Sequence, residues 1–201
     1  MPIIETSQSM LILVGLLSYL LGSVPFGLVV TRMMNLGNLR DIGSGNIGTT
    51  NVLRTGSKKA AALTLLFDAG KGAVAVLIAR AVFGEDAAQL AGLCAFLGHL
   101  FPIWLRFKGG KGVATFLGLM LALNFWVGLL CCATWLIIAG GLRISSMAAL
   151  ISVASAPLWM FMRFEGQMLM LGLILTILVY IKHAPNIRRL KNGTEPKIGE
   201  K

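Results

Sequence analysis

From Val113 to Leu142 the chain runs for thirty residues without one charged side chain. Water cannot hold such a segment in the open, whereas the hydrocarbon core of a bilayer takes up about 20 apolar helical residues. Further apolar windows cover residues 9–31, 60–83, 87–105, 146–162 and 167–182. Over all 201 residues the chain is 56% hydrophobic and 13% charged; an ordinary soluble domain carries roughly 25% charged residues. These values exclude a disordered chain and argue against a soluble enzyme. In lipid every backbone amide must be bonded within its own segment, so the spans are expected to be helices. The length leaves room for one domain, 1–201.

The run 113–142 is too long for one ordinary span and short for two, and the distribution of Lys and Arg decides between them. Splitting it, with the N-terminus outside, gives seven spans. Arg32, Arg40, Arg54, Lys58, Lys59, Arg106, Lys108, Lys111, Arg143 and the six Lys/Arg between Lys182 and Lys201 then face the cytosol, against Arg80 and Arg163 outside, with Lys71 inside a span. A single helix would distribute these charges almost evenly. The break is expected around Leu123–Trp126, where Asn124 and the pair Phe125–Trp126 suit an interface. Gly, Ala and Ser in the spans favour close helix packing, and no convincing internal repeat supports a two-halved transporter. The expected architecture is an all-α integral membrane bundle of seven transmembrane helices, with the C-terminus cytosolic. The first ten residues lack Lys and Arg and no small-residue cleavage site follows, so no cleavable signal is expected. Cys94, Cys131 and Cys132 lie in apolar runs without disulfide or metal spacing. The formal net charge of +10 would suggest nucleic acid on a soluble protein. On this chain it suggests cytosolic loops and anionic lipid or phosphate.

In that orientation every polar, glycine-rich motif falls on the cytosolic side. Loop 35–59 contains Gly43-x-Gly45-x-x-Gly48, a formal match to the dinucleotide fingerprint without the strand that the fingerprint requires. Its physical content is more general. Closely spaced glycines let backbone N–H groups converge on an anion, Asn46, Thr49, Thr50 and Asn51 add donors, and Arg54 adds a bidentate cation. The alternative is a solvated turn, which needs only about 2–8 residues. The second motif, Arg106-Phe-Lys108-Gly-Gly-Lys111-Gly-Val-Ala-Thr115, departs from a P-loop because Gly112 follows Lys111 where Ser or Thr is required. It remains a cationic loop opening a helix, suited to phosphate; the alternative is a topology signal with a tight turn. At the end of the last span stand Lys182, His183, Asn186, Arg188 and Arg189. His183 is a candidate base or oxyanion partner, and the alternative is a basic tail on anionic lipid. Arg143-Ile-Ser145-Ser146 reads by itself as a helix N-cap. Asp68 and Lys71 share a helix face within a span and are expected to pair as a structural ion pair; the alternative is a proton or substrate relay. His99 reads as a structural histidine or a site residue.

Taken together, these residues resemble the bacterial acyl-phosphate:glycerol-3-phosphate acyltransferases, integral membrane enzymes of phospholipid synthesis. The resemblance rests on Gly43-Ser-Gly-Asn-Ile-Gly-Thr-Thr-Asn51 with Arg54, on Gly98-His-Leu-Phe-Pro102 leading into Lys108-Gly-Gly-Lys-Gly-Val-Ala-Thr115, on Lys182-His-x-x-Asn186-Ile, and on Asp68-Ala-Gly-Lys71-Gly. Arg143 and Ser146 match a shorter Arg-x-x-Ser turn. The resemblance implies attack of the 1-hydroxyl of glycerol 3-phosphate on an acyl phosphate, giving lysophosphatidic acid and phosphate. It implies a multi-pass protein of the bacterial inner membrane with its site facing the cytosol, and acyl phosphate, glycerol 3-phosphate and membrane lipid as partners, with no nucleic acid. The His-x4-Asp signature of other glycerol-phosphate acyltransferases is missing: Trp104 and Arg188 stand where Asp would follow His99 and His183. By resemblance Lys108, Arg54, Ser146, His183 and Asn186 hold glycerol 3-phosphate. Ser44, with Gly45, Asn46, Gly48, Thr49 and Asn51, holds the acyl-phosphate head, and Gly109, Gly110, Lys111 and Gly112 serve either substrate. Glu195 matches a family glutamate beyond the C-terminal Asn. No cofactor and no metal are expected.

Overall fold

The structure, a computed structural model, describes residues 2–199. Ten α-helices and three single turns of 3-10 helix account for its regular structure, and no strand forms among the described residues. The first apolar window is two helices, α1 (Gln8–Gly22) and α2 (Phe26–Met33), where the sequence suggested one. Pro25 has no N–H to donate and its ring keeps the preceding residue out of helical geometry, so the helix breaks there. The carbonyl of Val24, exposed by the break, accepts a hydrogen bond from Lys71 Nζ at 2.9 Å.

A short helix α3 (Thr49–Leu53) precedes the long α4 (Lys58–Phe83) and α5 (Glu85–Leu100). The thirty-residue apolar run is divided into α6 (Val113–Leu123) and α7 (Phe125–Leu142). The break falls at Asn124, inside the stretch 123–126 marked by Asn124 and the Phe125–Trp126 pair; Asn124 turns extended and its side chain accepts from Val127 N, which starts α7. The bundle is completed by α8 (Ser145–Met162), α9 (Leu169–Lys182) and α10 (Ala184–Lys191). By length and composition five helical stretches can cross a bilayer: Gln8–Met33, Lys58–Phe83, Glu85–Leu105, Phe125–Leu142 and Ser145–Met162. The α9–α10 pair, bent by 63°, makes a sixth if it is one span, and α6 is apolar but shorter.

Glycine lets these helices touch backbone to backbone, the packing available where water supplies no drive. A Cβ on Gly22 would run into the Ala95 backbone, and one on Gly98 into Tyr19. Gly118 of α6 lies in the same way on Ala69 of α4, and Gly72 faces Thr115 and Leu119. These contacts make α4 and α6 parallel neighbours and fix where α6 begins. Its 11 residues are about 16 Å of helix, so its N-terminus starts part-way along α4 instead of level with Lys58. Around that seam Phe96, Phe116, Leu119, Met120 and Val127 form a fully buried core. Outward, Leu16, Leu17, Ile78, Ile137 and Phe161 are exposed and form an apolar belt suited to lipid.

One end of the bundle is tied shut by paired polar groups. Arg80 binds Glu85 at 2.8 Å and donates to the carbonyls of Ala122 and Leu123, which caps α6. Asn124 donates to Glu165 at 2.7 Å, and Asp86 accepts from the amides of Glu5 and Thr6. The glycine-rich loops and the cations beside them lie at the other end.

Candidate functional site

The first glycine-rich loop is organised by Asn51, which is buried. Its Oδ1 accepts from Ser44 N at 3.1 Å and from Arg54 Nη1 at 3.3 Å, and its Nδ2 donates to Leu39 O at 3.0 Å. Gly43 (φ +52) and Gly45 (φ +66) take the left-handed turns that this wrapping needs. A Cβ on Gly43 would meet both Arg54 and Asn51. Asn51 is therefore an internal organiser, and what the loop presents outward is Ser44, exposed, with Arg54 half-buried behind it. Asn46 turns its Oδ1 onto Ile47 N. Thr49 Oγ1 is buried and has no hydrogen-bond partner.

The second loop is packed against α5. Gly110 N donates to His99 O at 3.1 Å and Gly109 N to Leu100 O at 3.2 Å. A Cβ on Gly110 would strike the His99 imidazole, one on Gly109 the His99 and Leu100 carbonyls, and one on Gly112 the Phe96 ring. The glycines thus serve close approach first, and their packing sets the course of the chain into α6. Below the loop, Asp68 pairs with Lys71 at 2.9 Å, as their spacing predicts, and His99 Nδ1 lies 3.6 Å from the same carboxylate oxygen. All three side chains are buried. The side chain of Lys108 is exposed.

The third segment meets the second through Lys111, whose Nζ donates to Asn186 Oδ1. Asn186 Nδ2 donates to Glu195 Oε1, and Arg189 Nε binds Glu195 Oε2 at 2.7 Å. Burial works to raise the Glu195 pKa. The Asn186 and Arg189 contacts, with the Ser146 hydroxyl alongside, outweigh it and hold the carboxyl below its usual range. Ser146 Oγ itself is buried and completes no hydrogen bond. Lys111 is pushed down to about 8 by burial; the Glu195 carboxylate opposes this, and the charges of Arg189 and Arg54 add to it. His183, at the bend between α9 and α10, is buried with Nδ1 2.9 Å from Val179 O.

Thr50 Oγ1 and Ser145 Oγ are 3.0 Å apart, which joins the first loop to the α7–α8 turn. Ser145 is the first residue of α8 and Ile144 takes the cap position without a side-chain bond, so the N-cap expected of this turn does not form. Lys111 and Glu195 stand at the centre of this cluster: Lys111 feels Arg54, Glu195 and His183, and Glu195 faces Asn186, Ser146 and Arg189. Two cations brace the same end by contacts that the sequence did not indicate. Arg40 reaches both loops. Lys182 donates to Leu100 O at 3.0 Å and lies over the Phe101 ring. No local spacing signals the Arg40–Lys108 or Lys182–Leu100 contact, since each joins elements far apart in the chain. The arrangement offers two unsatisfied buried hydroxyls, several cations and an imidazole around glycine-rich backbone, a setting suited to phosphate oxygens. Among the described residues no group of three or more His, Cys, Asp or Glu side chains is placed to hold a metal ion.

Comparison with known proteins places this geometry among relatives. The sequence pattern of the glycerol-3-phosphate acyltransferase family matches residues 12–193. The glycerol-3-phosphate acyltransferase of Cereibacter sphaeroides is 62% identical over 201 residues, which is 100% of this chain and 96% of that protein. That of Ruegeria pomeroyi is 62% identical over 100% of this chain and 99% of its own length. The fold is similar to two crystal structures of PlsY (YgiH), an integral membrane glycerol 3-phosphate acyltransferase. The glycerol 3-phosphate form has a TM-score of 0.89 at 36% identity and the lysophosphatidic acid form 0.86 at 35%, each covering 94% of this chain and 96% of the other.

Proposed function

The chain belongs to the glycerol-3-phosphate acyltransferase family, and from that premise we propose that it transfers the acyl group of an acyl phosphate to the 1-hydroxyl of glycerol 3-phosphate. The products are lysophosphatidic acid and inorganic phosphate, in phospholipid synthesis. The observation that carries this reading is the cluster of Lys111, Asn186, His183 and the unpartnered Ser146 hydroxyl beside Arg54, at the end of the bundle that carries the glycine-rich loops.

Acyl phosphate is a mixed anhydride, so no enzyme nucleophile is required. The glycerol oxygen attacks the carbonyl carbon, and the tetrahedral oxyanion collapses with cleavage of the bond to the phosphate oxygen. The departing phosphate is the stronger base and takes up the hydroxyl proton, directly or through His183. The enzyme supplies alignment and charge stabilisation. In this reading Arg54, Lys108, Ser146, His183 and Asn186 hold glycerol 3-phosphate. Ser44 and the backbone through Gly45, Asn46, Gly48, Thr49 and Asn51 hold the acyl-phosphate head, with Gly109, Gly110, Lys111 and Gly112 between them. His183 chiefly positions substrate: the partner that orients its Nδ1 is the Val179 carbonyl and not a carboxylate. Protonated there, the ring is neutral and offers Nε2 as an acceptor.

We further propose that the α1–α2 pair, α4, α5, α6, α7, α8 and α9 are the seven spans of one domain. The N-terminus is outside, and the site faces the cytosol at the inner membrane. The clustering of Arg32, Arg40, Arg54, Lys58 and Lys59 with Arg106, Lys108, Lys111, Arg143 and the basic C-terminal segment supports this orientation; Lys201 of that segment lies outside the described residues. Purified protein given palmitoyl phosphate tests the reading. Phosphate release that depends on glycerol 3-phosphate and yields lysophosphatidate is the expected result. Release without glycerol 3-phosphate would make the protein a phosphatase, and no turnover of either substrate would return the question to transport.

A further inference from the structure

Arg40 stands on a fixed base. Leu39 beside it is fully buried, its carbonyl is held by Asn51 Nδ2 at 3.0 Å, and Asn38 caps the turn by accepting from Arg40 N and donating to Asp41. From that base the guanidinium reaches two carbonyl oxygens. Nη1 donates to Gly45 O at 3.2 Å, inside the first glycine-rich loop, and Nη2 donates to Lys108 O, the last carbonyl before the second. The two acceptors are 63 residues apart in sequence, between Gly45 and Lys108. Arg alone among the side chains offers a rigid planar fork of donors that can hold two acceptors at a set separation; a Lys ammonium is a single point on a flexible stem. With one donor of each terminal nitrogen on a backbone carbonyl, this guanidinium is placed to act on the loops.

We propose that Arg40 is a positioning residue whose fork sets the spacing between the two glycine-rich loops, and so the distance between acceptor hydroxyl and acyl carbonyl when both substrates are bound. The inference rests on the acyl-phosphate reading given above. Its signature differs from that of a binding residue and from that of a folding residue. A phosphate ligand would raise one KM; a purely structural cation would change the amount of folded protein; a spacer changes turnover, because small misplacements of reacting groups cost about 10²-fold in rate. It also lets water compete for the acyl group.

The test measures kcat, both KM values, free fatty acid release and thermal unfolding in detergent for the wild type, Arg40→Ala and Arg40→Lys, with palmitoyl phosphate and glycerol 3-phosphate. A wild type that makes no lysophosphatidate would remove the parent reading, independently of Arg40. With an active wild type, the expected result for both variants is a kcat lowered about 10–100-fold, KM values within about threefold, and a larger share of palmitate over lysophosphatidate. Three results overturn the proposal: an unchanged kcat per folded molecule, a raised KM with kcat intact, or full recovery of turnover by Arg40→Lys. If Arg40→Ala yields no folded protein, Arg40→Lys alone decides between these outcomes.

Discussion

His183 and Val179 are joined by a 2.9 Å contact between the imidazole Nδ1 and the carbonyl one helical turn earlier. Burial and then the charge of Lys111 push the His183 pKa down to about 4, while the Val179 bond and the Glu195 carboxylate pull the other way. The ring is therefore neutral at neutral pH. Its folded pKa lies below the unfolded value of 6.5, so the unfolded chain binds the extra proton between the two. Stability from this group is complete above pH 6.5 and is lost as pH falls towards 4, by up to about 3 kcal/mol. Thermal unfolding of wild type and His183→Gln across that range should show the slope in the first and its loss in the second. In kinetics, His183→Gln should chiefly raise the KM for glycerol 3-phosphate. Normal binding with turnover reduced by several orders of magnitude would make His183 the proton acceptor instead.

Lys111 should give the free enzyme a basic limb. With its pKa down to about 8, its ammonium charge fades above that pH, and kcat/KM should fall with it. Lys111→Met should start at the lower level and show no such limb in a pH profile. A limb that persists in the variant would assign it to another group.

Gly110→Ala places a methyl group against the His99 ring, so the loop must shift. The apparent KM for a phosphate substrate should rise by about tenfold, the scale of one lost hydrogen bond of about 1.4 kcal/mol. An unchanged KM in steady-state kinetics would remove this loop from the binding surface.

Gly118→Ala should destabilise the bundle by about 1–3 kcal/mol, because the added Cβ meets the Ala69 backbone, which cannot rotate away. Gly140, also helical, has nothing within 4 Å of an added Cβ, and Gly140→Ala should be neutral or slightly stabilising. Unfolding midpoints in the same detergent compare the two directly.

Asp68→Asn leaves Lys71 as a buried ammonium without its carboxylate, a loss of about 3–5 kcal/mol. Folded yield should drop more than activity per folded molecule. A variant that folds as well as wild type and is inactive would give Asp68 a direct part in the reaction.

What the sequence made legible were features with a local or a global period. The Asp68/Lys71 pair follows from spacing on one helix, and the break at Asn124 from a polar residue beside the Phe125–Trp126 pair in an apolar run too long for one span. The three polar segments were recognisable by composition; the structure joins the second to the third through Lys111 and Asn186, and the first to the α7–α8 turn through Thr50. The break at Pro25 carried its own signal, which the continuous hydropathy of residues 9–31 masked. Contacts between distant elements left no trace. His99 beneath Gly110, Arg80 capping Ala122 and Arg40 bridging Gly45 to Lys108 depend on how helices settle against one another, and their partners are backbone atoms that every residue possesses. The glycines of the second loop illustrate the same limit. Their pattern pointed to anion contact, yet their immediate neighbours are His99 and Phe96, so packing and binding select the same residue type at the same positions.

The brevity of α6 decides where two unlike reactants can meet. Its amino end begins near the level of Gly72, part-way along α4, so the glycine-rich loop that leads into it is set back from the start of that longer helix. On the reading proposed above, a fatty tail can then stay among lipids while its reactive head reaches that level, and a small hydrophilic acceptor comes to it from solvent. Neither molecule has to change phase to reach the other.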